Sequence, residues 1–285
     1  MAVRLSALLL MLAGAWTAYT FQGKQEGKQA KAKQPDAPMT LVKVADDLYM
    51  IEGPGGNVTV YITDEGVILV DDKFERNFDE IMANVKKVTT QPVKYVINTH
   101  NHGDHTGSNP QMLAFAEVIA HRNARANMVK GKQKGLQRVV FADEMEINLG
   151  GKTVQARYYG RGHTSGDIAV YFPAHRVLAT GDMGANNGPN PDYGNGGSIK
   201  EWAATLDGML KLDIQTVIPG HGPVSPRQYL VDYRARTVQI QTRISTLLRE
   251  GKNKEAITQA LMTEFNVPMT HAIINRLDGM MEELK

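Results

Sequence analysis

Thr99-His100-Asn101-His102-Gly103-Asp104-His105-Thr106-Gly107 gathers three imidazoles and one carboxylate into one short stretch. The apolar run Val93 to Ile97 leads into it and reads as a buried strand. The cluster is therefore expected on the loop at the end of that strand, where the strand can aim several donors at one point. Gly103 and Gly107 let the backbone bend tightly there. On extended backbone His100 and His102 fall on one side and can share a metal ion, while Asp104 and His105 point elsewhere and can serve a second.

Three more donors sit in matching contexts further along. His163 lies in Gly160-Arg161-Gly162-His163-Thr164-Ser165-Gly166-Asp167, Asp182 in Ala179-Thr180-Gly181-Asp182, and His221 in Ile218-Pro219-Gly220-His221-Gly222. Each falls at the end of an apolar strand and beside glycine, which permits close backbone approach. The chain has no cysteine. Disulfides, thiolate metal sites, thiol nucleophiles and a lipid-modified amino-terminal cysteine are excluded. Any metal must rest on imidazole and carboxylate, a donor set that suits zinc, iron or manganese.

The chain has 285 residues, 42% of them hydrophobic, enough for a sizeable core. Its 32 basic and 30 acidic residues leave a formal charge of +2, which gives no basis for a nucleic-acid partner. Residues 1–15 read as a signal peptide: Arg4, then the apolar Leu5 to Leu12, then Ala13-Gly14-Ala15. The apolar run is shorter than the roughly 20 residues of a membrane-spanning helix, so no stable span is expected after cleavage, and the protein is expected to be periplasmic or secreted. An uncleaved anchor extending through Trp16 and Tyr19 is the alternative. Residues 16–38, rich in Gln, Lys and Gly, read as a disordered linker.

From Met39 the periodicities alternate. Strands are expected at Leu41–Val44, Leu48–Ile51, Val58–Ile62, Val67–Val70, Val93–Ile97 and Glu117–Ala120. Further strands are expected at Val139–Ala142, Glu146–Leu149, Thr153–Tyr159, Ile168–Phe172, Val177–Ala179 and Thr216–Ile218. Helices are expected at Phe78–Val88, Gln111–Ala116, Asn123–Lys130, Ile199–Leu210, Pro226–Glu250, Lys254–Glu264 and Thr270–Leu284. That order fits an α/β fold with helices outside two sheets.

Asp71 after Val67-Ile68-Leu69-Val70, the His100-to-His105 cluster, His163, Asp182 and His221, in that order, resemble the metallo-β-lactamase superfamily. The resemblance covers roughly Leu41 to Val224. It implies an αββα sandwich over residues 39–225, with a carboxy-terminal helical extension, 226–285, packed on the same domain. It implies that His100, His102 and His163 hold one divalent metal ion, that Asp104, His105 and His221 hold another, and that Asp182 bridges them. Asp71 supports the site from behind. Zn2+ is the expected ion, with Fe or Mn compatible.

The implied activity is hydrolysis of a small molecule by a hydroxide held between the metals, with Asp104 orienting it or shuttling a proton. Specialised β-lactamases of this superfamily mostly carry Cys or Ser where this sequence has Asp182. Aspartate there resembles the glyoxalase II-like thioesterases, lactonases and periplasmic hydrolases, so an ester, thioester or lactone is the expected substrate. A β-lactam hydrolase and a non-catalytic metal-dependent binding protein are the alternatives.

The loop from Gly184 to Gly197, rich in Gly, Asn and Pro, is the candidate substrate wall; a solvated connector is its plain reading. Lys130, Lys132, Lys134 and Arg138 read as a solvated basic face, with contact to a substrate carboxylate as the alternative. Arg161 has two readings, contact with an anionic substrate group or a surface ion pair. His121, His175 and His271 have no convergent partners in the sequence and are expected to pack or face solvent. The sequence does not fix an oligomeric state.

Overall fold

The computed structural model describes residues 37–186 and 188–285. The signal peptide and nearly all of the expected linker lie outside the described residues. Short runs of β-branched residues build the first sheet. β1 (Thr40–Ala45), β2 (Leu48–Glu52), β3 (Val58–Thr63) and β4 (Gly66–Val70) form an antiparallel meander. β5 (Val93–Asn98), β6 (Glu117–His121) and β7 (Val139–Phe141) extend it in parallel, giving seven strands in chain order.

The second sheet holds β8 (Glu144–Leu149), β9 (Lys152–Tyr158), β10 (Ile168–Phe172), β11 (Val177–Gly181), β12 (Thr216–Pro219) and β13 (Ser225–Pro226). Its order is β13-β12-β11-β10-β9-β8, antiparallel throughout except between β11 and β12.

Strand alternation explains the layers. In β4, Ile68 and Val70 join the core between the sheets, while Val67 and Leu69 join the core under the helices, so the whole strand is buried. Between the sheets Leu48, Tyr61 and Ile97 meet Ile168, Phe172 and Ile218. Helix α1 (Phe78–Lys86) covers the first sheet with Ile81 and Val85. Further on come three short helices, α2 (Gly103–Thr106), α3 (Asn109–Met112) and α4 (Arg122–Lys130).

The second sheet is covered by α5 (Ile199–Met209) and α6 (Arg227–Arg249), through Trp202, Leu206, Met209, Leu230 and Tyr233 on Leu178 and Val217. Each fully buried Leu of this set, such as Leu206, contributes about 1.5–3 kcal/mol relative to exposure. Helices α7 (Lys254–Glu264), α8 (Ala272–Asn275) and α9 (Leu277–Glu283) close a further core with Ile240 and Ile244 of α6. The fold is thus the expected α/β layering with carboxy-terminal helices. Among the described residues no helix is long and apolar enough to cross a membrane.

Several boundaries differ from expectation. The helix expected at Gln111–Ala116 forms at Asn109–Met112, because Pro110 fits the first turn, where no backbone N–H is needed. The last expected helix divides at Arg276, whose φ of −103° and ψ of 0° leave helical geometry. The 184–197 stretch is not loop throughout: 3₁₀ turns cover Asp182–Gly184 and Tyr193–Asn195.

This topology sets one working edge. Asp71 follows β4, His100 follows β5, Asp182 follows β11 and His221 follows β12. Within each sheet these strands are parallel neighbours, so their carboxyl ends lie together. His163 precedes β10, which runs antiparallel to β11, and so emerges at the same edge.

Candidate metal centre

The His-x-His segment leaves β5 in extended backbone, with His102 at φ −70° and ψ 146°. His100 Nδ1 lies 3.1 Å from Thr99 Oγ1, and its buried Nε2 has no hydrogen-bond partner. His102 turns Nδ1 to within 2.9 Å of His163 Nε2, while its Nε2 meets Asp192 Oδ2 at 2.8 Å. His163 Nδ1 in turn lies 3.0 Å from the Asn190 carbonyl. Donor atoms of His100, His102 and His163 all fall within 4.8 Å of one another. Burial pushes His163 down to about 4 and His100 well below the ordinary imidazole value, so both are neutral donors at neutral pH.

Beyond Gly103 the extended alternation stops, because α2 makes one helical turn there. Asp104 and His105 therefore sit side by side on that turn rather than along an extended loop. His105 Nε2 is 3.4 Å from His221 Nε2, 3.3 Å from Asp182 Oδ1 and 3.8 Å from Asp104 Oδ2. His221 Nε2 is 3.2 Å from Asp104 Oδ2.

The orientation of His105 is imposed from behind. Its Nδ1 lies 2.8 Å from Asp71 Oδ2, and Asp71 also accepts from Thr99 N and Thr99 Oγ1, each at 2.7 Å. Asp71 adopts a left-handed φ of 63°, a conformation Asp tolerates better than most residues.

Asp182 stands between the two groups. Its Oδ1 is 3.3 Å from His105 Nε2 and 3.4 Å from His221 Nε2, and its Oδ2 is 3.5 Å from His163 Nε2. Burial alone would raise its carboxyl, but His105, His163 and His221 outweigh burial and hold it well below the ordinary value.

The donor set fits divalent ions. Tetrahedral bonds of 2.0–2.1 Å place neighbouring donors about 3.4 Å apart; the contacts above run from 2.9 to 3.8 Å. His100 Nε2 and Asp182 Oδ1 are buried without hydrogen-bond partners, which is costly unless something else binds them. Two glycines give the donors room. A Cβ at Gly56 would lie 2.2 Å from His105 Cε1, and one at Gly220 would lie 2.1 Å from Asp182 Oδ1.

Residues 51–221 match the metallo-beta-lactamase superfamily over most of the folded chain. The chain belongs to that superfamily. A Bacillus cereus protein named metallo-beta-lactamase type 2 is 30% identical over 187 residues, covering 63% of this chain and 72% of the relative. The 2,4-dinitroanisole O-demethylase subunit alpha of Nocardioides sp. (strain JS1661) is 28% identical over 152 residues, covering 50% of this chain and 45% of the relative. The solved metallo-beta-lactamase from Pontibacter korlensis superposes with a TM-score of 0.63 at 20% identity, covering 70% of this chain and 98% of that one, a likeness of fold. As a member of the superfamily the chain is a metal-dependent hydrolase acting on a small molecule, of a class that binds divalent metals, typically zinc.

Against this metallo-beta-lactamase framework the other polar residues sort clearly. His121 is buried, stacks on Tyr158 at 4.2 Å and has Nε2 2.7 Å from the Ala142 carbonyl. His175 pairs with Asp47 at 2.5 Å, and His271 caps α8. Arg161 pairs with Glu201 at the surface, and Lys130 donates to the Gly194 carbonyl. The loop beyond Asp182 does reach the donors, through Asn190 and Asp192. The role of Asp192 as the partner of His102 had no signal in the sequence beyond its place in that loop.

Proposed function

We propose that the protein cleaves an ester, thioester or lactone with two divalent ions, most readily zinc. His100, His102 and His163 would hold one ion, Asp104, His105 and His221 the other, with Asp182 between them. The single observation that carries this reading is the straddling carboxylate of Asp182, one oxygen toward His163 and the other toward His105 and His221. When bound, such ions supply Lewis-acid polarisation of a substrate oxygen and lower the pKa of water from 15.7 to about 7.

The chain's own groups provide the rest. Burial, which opposes ionisation of Asp104, is outweighed by its bond to His221 and the nearby His105, so its carboxyl is held below the ordinary value. At neutral pH it is a carboxylate at the mouth of the site, able to orient a water and take its proton. Neutral His100 and His163 donate lone pairs without adding charge. Asn190 and Asp192 meet the outward nitrogens of His163 and His102, so the loop beyond Asp182 would brace these two ligands from behind.

A second reading, β-lactam hydrolysis, is favoured by the names of the relatives. Turnover of thioester, lactone, phosphoester and cephalosporin panels by the zinc-loaded protein separates the two. Thioester or lactone cleavage well above cephalosporin cleavage is expected; the reverse order would overturn the assignment, and no turnover at all would leave a binding protein. The composition of residues 1–15 supports export to the periplasm or medium, tested by fractionation and amino-terminal sequencing of the mature chain.

A further inference from the structure

The metal-facing loop is tied to the far end of the chain. Tyr193 Oη donates to Glu283 Oε2 at 3.0 Å, Ser198 Oγ donates to Glu283 Oε1, and the first backbone N–H of α5, at Ile199, donates to Oε2 at 2.8 Å. One carboxylate on α9 thus holds both ends of the Tyr193–Ser198 segment and sits at the amino end of an 11-residue helix, where a negative charge is favoured. The Tyr193 ring packs against α9: a Cβ at Gly279 would come 2.3 Å from Tyr193 Cδ2.

The same segment grips the donors on its other side. Asp192 N donates to the His163 carbonyl at 2.7 Å, Ser198 N donates to the Gly162 carbonyl at 2.8 Å, and Asp192 Oδ2 accepts from Asn195 Nδ2 at 2.7 Å while meeting His102 Nε2. The Asp192 carboxylate, adjacent to Tyr193, fixes which nitrogen His102 turns inward. A carboxylate behind a ligating imidazole sets its tautomer and ring orientation, and losing such a partner typically costs 10–100-fold in metal affinity.

We propose that Glu283 is a positioning residue for the first metal: through Tyr193 and Ser198 it holds Asp192, and through Asp192 it holds His102, so the carboxy-terminal helices are part of the metal centre's frame. This rests on the assignment of His102 as a ligand.

The test uses His221→Ala as background, so that one zinc equivalent reports the His100–His102–His163 site. Zinc is titrated into the metal-free full chain against a chromophoric chelator. Asp192→Ala should weaken binding 10–100-fold. Glu283→Ala should weaken it about tenfold, and Glu283→Gln, which keeps one acceptor oxygen, should recover most of the loss. Gly279→Ala favours the helix but displaces Tyr193, and should weaken zinc binding in a metal-free protein that still unfolds cooperatively. It keeps the test open if Glu283→Ala does not fold.

Unchanged zinc affinity in Glu283→Ala and Gly279→Ala, alongside its loss in His102→Ala, would overturn the proposal. Unchanged affinity in His102→Ala itself would instead overturn the metal assignment.

Discussion

Replacing Asp71 with alanine isolates the support behind the proposed metal donors. Asp71 is 1% exposed and accepts three hydrogen bonds, from Thr99 N, Thr99 Oγ1 and His105 Nδ1. Its removal strands three buried donors at about 1–3 kcal/mol each, with water entering the vacated space to recover part. Alanine at φ 63° adds roughly 1 kcal/mol, since it lacks the local bonding that lets Asp adopt the left-handed region. The expected loss is about 3–5 kcal/mol, a large part of the 5–15 kcal/mol of a typical domain.

Urea unfolding should be done on metal-free protein, because a ligand that binds only the folded state masks the difference. In the same variant His105 loses the partner that fixes its ring, and zinc affinity at the Asp104 side should fall 10–100-fold. A metal-free variant within about 1 kcal/mol of wild type, a single hydrogen bond's worth, would refute this account of how the site is braced.

Gly56→Ala should evict a ligand by shape alone. The new Cβ would lie 2.2 Å from His105 Cε1 and 2.5 Å from Nε2, against ordinary contacts of about 3.5–4.0 Å, so zinc titration should show one site weakened at least tenfold; two intact sites would contradict it.

Acidification should release the Asp104-side metal first. Burial works against charging His105 and His221, yet Asp71, Asp182 and Asp104 outweigh it and raise both above 6.5, so a metal there must displace protons. Burial keeps His163 unprotonated down to about 4, so the other site meets less proton competition. Zinc titrations on either side of the ordinary imidazole value should separate the two affinities, and equal losses at both sites would contradict this. In zinc-saturated protein, Asp104→Ala should lower kcat by about 10²–10⁴, as expected for loss of a general base, with little change in KM; a pure KM effect would count against its role.

The convergence of these side chains was legible because local chemistry marks them. His100, His102, His163, Asp182 and His221 each stand near glycine at a strand end, and the alternating apolar runs give the sheets. The turn at Gly103–Thr106 was not legible, since four residues are too few to show helical period. Asp192 was legible only as part of a polar loop, because its contact with His102 spans 90 residues and depends on the 3₁₀ turn at Tyr193–Asn195. Glu283 looked like any acidic residue of a terminal helix; its meaning comes from α9 crossing the start of α5, a tertiary event with no local trace. Arg161 had two readings in sequence, and the proximity of Glu201 decided between them.

The central claim is that seven side chains form one two-metal centre joined by Asp182. Anomalous diffraction at the zinc edge, from crystals of the zinc-loaded protein, tests it most directly. Two peaks are expected, one within bonding distance of His100, His102 and His163, the other of Asp104, His105 and His221, with one Asp182 oxygen reaching each. A single peak, or two peaks that Asp182 does not join, would contradict it.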